Sequence, residues 1–122
     1  MSCGKIDIAG KFALFSERWR PRIVASLNGQ EVKLVKVQGT FPWHAHAEAE
    51  EMFLVWRGRF RVEFRDRVIE LSEGECLVVP RGVEHRTAAD EEAEVILFEP
   101  KDVPNTGENE ADEFTAPMGV TI

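Results

Sequence analysis

Gly39-Thr40-Phe41-Pro42-Trp43-His44-Ala45-His46-Ala47-Glu48-Ala49-Glu50-Glu51-Met52-Phe53-Leu54-Val55-Trp56-Arg57-Gly58 is the stretch on which the reading of this chain turns. His44 and His46 are two residues apart, and a strand throws such side chains to one face. A helix would need ligands at i and i+4 instead. Glu51 opens an apolar run in which Glu51, Phe53 and Val55 share a face, so a carboxylate returns toward the two imidazoles. The only other histidine is His85, which follows the turn-rich segment Pro80-Arg81-Gly82-Val83-Glu84. A close pair of histidines, a carboxylate and a distal histidine read as a site for one divalent transition metal. Neutral imidazole and carboxylate suit Mn, Fe, Ni, Co, Cu or Zn alike, so the metal is not named by its ligands.

Working outward, the flanks are strand-rich. Ile23 to Leu27, then Asn28-Gly29, then Val32 to Val37 predict a hairpin, because Asn-Gly supplies the positive φ that a two-residue turn requires. Beyond Gly58, Phe60, Val62 and Phe64 alternate with Arg61, Glu63 and Arg65, which sets one face to a core and the other to water. Arg65-Asp66-Arg67 turns the chain, Val68 to Leu71 returns it, and Ser72 to Glu75 turns it again before Cys76 to Val79. Asp90-Glu91-Glu92-Ala93-Glu94 reads as a solvated loop ahead of the apolar strand Val95 to Phe98. Short strands at this spacing predict an antiparallel sandwich or barrel with little helix. Asp7 to Phe15 suits a short helical turn or an irregular arm. Arg18-Trp19-Arg20-Pro21-Arg22 reads as a surface loop with one buried Trp.

A chain of 122 residues, 43% hydrophobic, has the commonest size of one domain and can bury a core. The expected division is a core over about 22–100, an N-terminal arm over 1–21 and an irregular acidic tail over 101–122. A net charge of -7 argues against nucleic acid, whose binders carry basic patches. No apolar run approaches the roughly 20 residues of a spanning helix, and the first residues lack a signal-peptide core, so the expectation is a cytoplasmic protein without membrane contact. Cys3 and Cys76 form no paired framework and read as neither metal ligands nor a disulfide.

The central stretch resembles the cupin superfamily in both halves of its signature. Gly39, His44, His46, Glu51 and Gly58 match the first half, with four residues between Gly39 and His44 where the family usually has five. Gly74, Pro80, Gly82 and His85 match the second, with Ala89 where the family has Asn. The whole chain is similar to small single-domain prokaryotic cupins that open on a Phe-rich segment and carry an Asn-Thr-Gly tail, here Asn105-Thr106-Gly107. The resemblance implies an all-β fold, the antiparallel double-stranded β-helix or jelly-roll barrel, with the metal near its wider mouth. It also implies a homodimer, and the apolar arm residues Phe12, Leu14, Phe15 and Trp19 support self-association.

Four protein ligands leave coordination positions open, which is the mark of a catalytic or ligand-sensing site. The leading expectation is a metal-dependent enzyme, isomerase- or epimerase-like, on a small oxygenated metabolite such as a sugar or sugar acid. The alternatives are a non-catalytic metal or small-ligand binding or sensing protein and, with iron, a dioxygenase. A metal that only staples the fold fits the open positions less well. Continued alternation predicts a pocket lined by Phe53, Val55 and Thr87, with Arg81 at its mouth selecting a small anionic or hydroxylated ligand. Glu48, Glu50, Glu84 and Arg86 are further charged candidates near the ligands.

Overall fold

The computed structural model describes residues 3–107, 109, 112–117 and 119–122. Its elements run α1 (Ile8–Phe12), β1 (Arg22–Leu27), β2 (Gln30–Thr40), β3 (Glu51–Arg57), β4 (Phe60–Glu63), β5 (Val68–Leu71), β6 (Cys76–Val79) and β7 (Arg86–Pro100). Every strand pairing is antiparallel, and the main path runs β1-β2-β7-β3-β6, with β4 joining β7 and carrying β5. This is an all-β jelly-roll barrel.

The β1–β2 hairpin turns at Asn28 and Gly29, with φ of 51° and 77°, and Leu27 faces Gln30 across it. Both central residues take positive φ, the requirement of a turn whose twist matches the flanking strands.

The spine is β7. Fifteen residues long, it pairs with β4 through Arg86–Ala88, with β2 from Ala88 to Pro100 and with β3 from Glu94 to Phe98. The run from Asp90 to Glu94, expected as a loop, is therefore strand. Ala93 is fully buried opposite Val37, while the charged neighbours take outward positions against basic partners. Asp90 meets Arg61 at 2.9 Å, Glu92 meets Arg18 at 2.9 Å, and Glu94 lies near Lys36 and Arg57 at 3.9 and 3.6 Å. Ala93 and Glu94 pair with β2, and Glu94 also with β3, while Asp90 to Glu92 fall where the β2 register shifts between Val37 and Gly39, an arrangement that composition alone does not suggest.

Inward alternation fills the barrel with Val35, Val37, Phe53, Val55, Phe60, Val62, Val95 and Leu97. The arm packs on the outside of its own barrel. Phe12 and Leu34, 1% and 0% exposed, are buried where α1 meets β2, whereas Leu14 stays 66% exposed. The tail also leans on the body. Val120 accepts from the Ile23 amide and Ile122 donates back to Ile23, extending the β1 edge.

Leu97→Ala, inside the spine, is expected to cost about 2–5 kcal/mol. Val68→Ala, at an exposed position of β5, should stay within about 0.5 kcal/mol. Urea unfolding of both variants checks this, and a small loss for Leu97 would contradict its burial.

Candidate metal centre

Three stretches of chain meet at one point. His44 and His46 lie on the irregular segment between β2 and β3 rather than on a regular strand, Glu51 begins β3, and His85 ends the turn before β7. His44 and His85 donate their amides to one another's carbonyls at 2.9 Å each, an isolated antiparallel bridge that sets the two side chains opposite each other. The Gly82 amide donates to the His46 carbonyl at 2.8 Å, and Glu51 pairs with Val79 in the β3–β6 register. The turn that carries His85 is thus fastened to both other segments. One ligand atom from each of His44, His46, Glu51 and His85 lies within 4.8 Å of the others, and all four residues are buried.

The backbone also fixes two tautomers. The Nδ1 atoms of His44 and His85 lie 3.0 Å from the carbonyls of Pro42 and Val83. A carbonyl only accepts, so each Nδ1 carries the proton and each neutral ring keeps its lone pair on Nε2. The Glu51 Oε1 atom lies 3.5 Å from His46 Nε2 and 3.6 Å from His85 Nε2, too far for a good hydrogen bond. All three of these atoms are buried without a hydrogen-bond partner. Leaving such groups unsatisfied costs roughly 1–3 kcal/mol each, and a cation among them would remove that cost. The cluster is compatible with a bound metal ion.

Burial and the neighbouring His85 lower the His44 pKa to about 4. Burial pushes the Glu51 carboxyl up, but His46, His85 and Glu99 outweigh it and hold the group well below the usual carboxylate range. At neutral pH His44 therefore offers a free lone pair and Glu51 a negative charge, the forms a cation requires.

Beside the cluster lies a cavity of about 40 Å³ walled by Val35, Val37, Phe41, Phe53, Phe60 and Leu97. Its polar lining is His44, Glu51, Thr87 and Asn105, and Trp19 and Pro21 of the arm complete it. Phe53 and Thr87 thus face this cavity. Val55 lies one step deeper, 1% exposed in the packed core. Arg81 does not line it: its side chain is 64% exposed and 3.9 Å from Glu50, because the turn aims it outward. Glu84 is held by Arg65, Arg86 by Glu63, and Glu48 is exposed.

Sequence reasoning passed over the parts that close the site. Lys33 and Glu99 are buried inside the barrel and joined at 3.0 Å. Alternation through Lys33, Val35, Val37 and through Val95, Leu97, Glu99 carried that signal. The tail gives less warning. Asn105 donates to Phe114 and accepts from the Ala116 amide, and Asn109 donates to the Trp43 carbonyl. Phe114 packs edge-on against Trp19 and Phe41, whose ring centroids are 6.2 and 5.4 Å away. At Gly107 a Cβ would stand 2.2 Å from the Ala45 carbonyl, so only glycine lets the tail pass this close to the histidine segment.

With barrel and cluster in place, the class is plain, and the chain belongs to the cupin family: residues 30–112 match the cupin domain of the cupin-2 type. It is similar to a cupin-2 domain containing protein from Shewanella frigidimarina, with 45% identity and a TM-score of 0.78 over 79% of this chain and 94% of the other. It is similar also to KdgF from a Halomonas species, at 29% identity and a TM-score of 0.59 over 66% of this chain and 77% of that one. An uncharacterised Bacillus subtilis protein, YdbB, shares 31% identity over 65 residues, 52% of this chain. The match spans 58% of that relative's length. Both cysteines are free and exposed, and among the described residues no helix is long and apolar enough to cross a membrane.

In the metal-free protein the His44 ring should titrate near pH 4. The sign follows from proton counting: between about 4 and 6.5 the unfolded chain binds the proton and the folded one does not, so this contribution to stability grows as pH rises through that window. Glu99, pushed well above its ordinary value by burial and by Glu51, works the other way above pH 4.5. The net slope of stability is therefore a poor readout, and NMR titration of the ring, assigned by loss of its signal in His44→Gln, is the direct one. A midpoint near 6.5 would contradict the burial of His44.

Proposed function

We propose that this cupin holds one divalent transition metal on His44, His46, Glu51 and His85 and uses it on a small oxygenated metabolite, a sugar acid or related hydroxy acid. The observation that carries the reading is the set of buried, partnerless atoms on His46, Glu51 and His85, facing one another with the tautomer of His85 fixed by backbone. When bound, such a metal polarises a carbonyl or acidifies a coordinated hydroxyl, the chemistry of isomerisation and epimerisation. The protein's own part is to hold the ligands in their lone-pair forms and to exclude water with an apolar wall.

Cavity size supports a chelating ligand. At about 10–15 Å³ per water, the 40 Å³ cavity takes about three waters, or the carboxylate and adjacent hydroxyl of a metabolite. The remainder of a larger substrate would leave past Trp19, Pro21 and Asn105, with Thr87 and Asn105 as the polar groups that orient it.

A second reading, non-catalytic binding or sensing, draws on the same wall. Apart from His44 and Glu51, both placed in the ligand set, no residue lining the cavity has an ionisable side chain, so the protein offers a proton-transfer step no dedicated acid or base. Product formation decides between the two. Metal-loaded protein incubated with a panel of sugar acids and hydroxy acids, followed by NMR, gives turnover in the first case and saturable binding alone in the second.

The metal itself is checked on chelator-stripped protein offered Mn, Fe, Co, Ni, Cu and Zn in turn. Elemental analysis should find one metal per chain for at least one of them, abolished in His85→Ala. The stripped protein should keep its far-UV sheet signal, and metal at 100 times its dissociation constant should add roughly 2.7 kcal/mol of stability. No bound metal with any of the six would end this reading.

The homodimer also belongs to the proposal, and the outside of the sheet supports it better than the arm does. Met52, Leu54, Ile96 and Phe98 are only half-buried on the outer face of β3 and β7, next to Trp56 at 40% and Val78 at 51% exposure. A sheet apolar on both faces asks for a cover, and a second copy presenting the same face supplies one. Val78→Glu should convert a dimer to a monomer in light scattering while metal binding persists.

A further inference from the structure

One charged pair inside the barrel has no part in the ligand set. Lys33 on β2 and Glu99 on β7 are 7% and 2% exposed, with Nζ to Oε1 at 3.0 Å and Glu31 a further 3.8 Å neighbour of the ammonium. Apolar side chains of similar size would fill this place at lower desolvation cost, so the pair is weak as a stability device. Its placement is more telling. The β3–β7 register sets Phe53 opposite Leu97 and Met52 opposite Phe98, and one further step brings Glu51 beside Glu99. Both point inward, as their burial shows. The second oxygen of Glu99 is buried without a hydrogen-bond partner.

We propose that Glu99, anchored by Lys33, is a positioning residue for Glu51. The anchored carboxyl abuts Glu51 from behind and keeps its Oε1 between the Nε2 atoms of His46 and His85, where those contacts are 3.5 and 3.6 Å. Without the anchor Glu51 is free to rotate, and the ligand set loses its geometry rather than a member. The proposal rests on reading these residues as a metal centre. Groups that orient a ligand in this way typically contribute 10–100-fold in metal affinity.

The test uses full-length, chelator-stripped protein and Co(II), followed by calorimetry and by its visible absorption bands, with far-UV circular dichroism as the folding control. Glu99→Leu is expected to weaken Co(II) binding by about 10–100-fold and to shift the bands. Glu99→Gln should retain both, because a carboxamide of the same shape can accept from Lys33 and still meet Glu51. If Glu99→Leu does not fold, Lys33→Met, which frees Glu99 from its anchor, is expected to weaken binding and shift the bands in the same direction. Wild-type affinity and an unchanged spectrum in a folded Glu99→Leu protein, or in Lys33→Met where that variant stands in, would overturn the proposal. His44→Ala separates the two levels of the argument. Co(II) binding unaffected by that change, or no binding to the wild type, overturns the metal centre itself.

Discussion

Two backbone hydrogen bonds between His44 and His85 join segments about forty residues apart in sequence, and the site depends on them. Each ring is then turned by a carbonyl two residues before it, Pro42 for His44 and Val83 for His85. The backbone therefore fixes both which residues meet and which nitrogen of each ring is free. Side-chain packing has little left to decide. The edge-on approach of Phe41 to His44, with centroids at 5.2 Å, fills the space behind the ring without offering it a competing partner.

That arrangement is affordable only because the barrel around it is strongly determined. The long β7 strand pairs with three others, so the apolar interior on both sides of it is held in one register. A slip of one residue would turn Val95, Leu97 and Glu99 to the outside and bring Ile96 and Phe98 in. The same register fixes Glu51 relative to Glu99, and so the fold and the electrostatics of the cluster are set by one pairing. Polar atoms left unsatisfied at the centre are tolerated because the surrounding core does not depend on them.

The mouth is built by the two ends of the chain. Trp19, from the arm, donates its indole N–H to the Gln38 carbonyl and packs on Phe41, with ring centroids 4.9 Å apart. Asn105 and Phe114, from the tail, lock onto the same aromatic cluster. Access to the cavity is thus governed by residues outside the strands, where backbone hydrogen bonds to the barrel are few. The size and shape of what can enter the cavity are the properties that such a border controls.

Much of this molecule was legible in its sequence. The Asn28-Gly29 hairpin and the alternation through Phe60, Val62 and Phe64 are local patterns that follow from turn chemistry and strand periodicity, and His44, His46, Glu51 and His85 stood out by residue type and spacing although His44 and His46 lie off the regular strands. The acidic stretch from Asp90 to Glu94 was not legible, because its strand state depends on pairing of Ala93 and Glu94 with β2 and β3 and on basic side chains brought from elsewhere in the chain. Arg81 and Trp19 show the same limit. Spacing places a residue in a turn, but the direction of its side chain is set by what the turn docks against. The sequence by itself determined the barrel's strand pattern and the residues available to a metal. Tertiary structure alone decided that Lys33 and Glu99 pair with each other and that arm and tail border the cavity, since alternation marks which face a residue takes but not which distant residue it meets there.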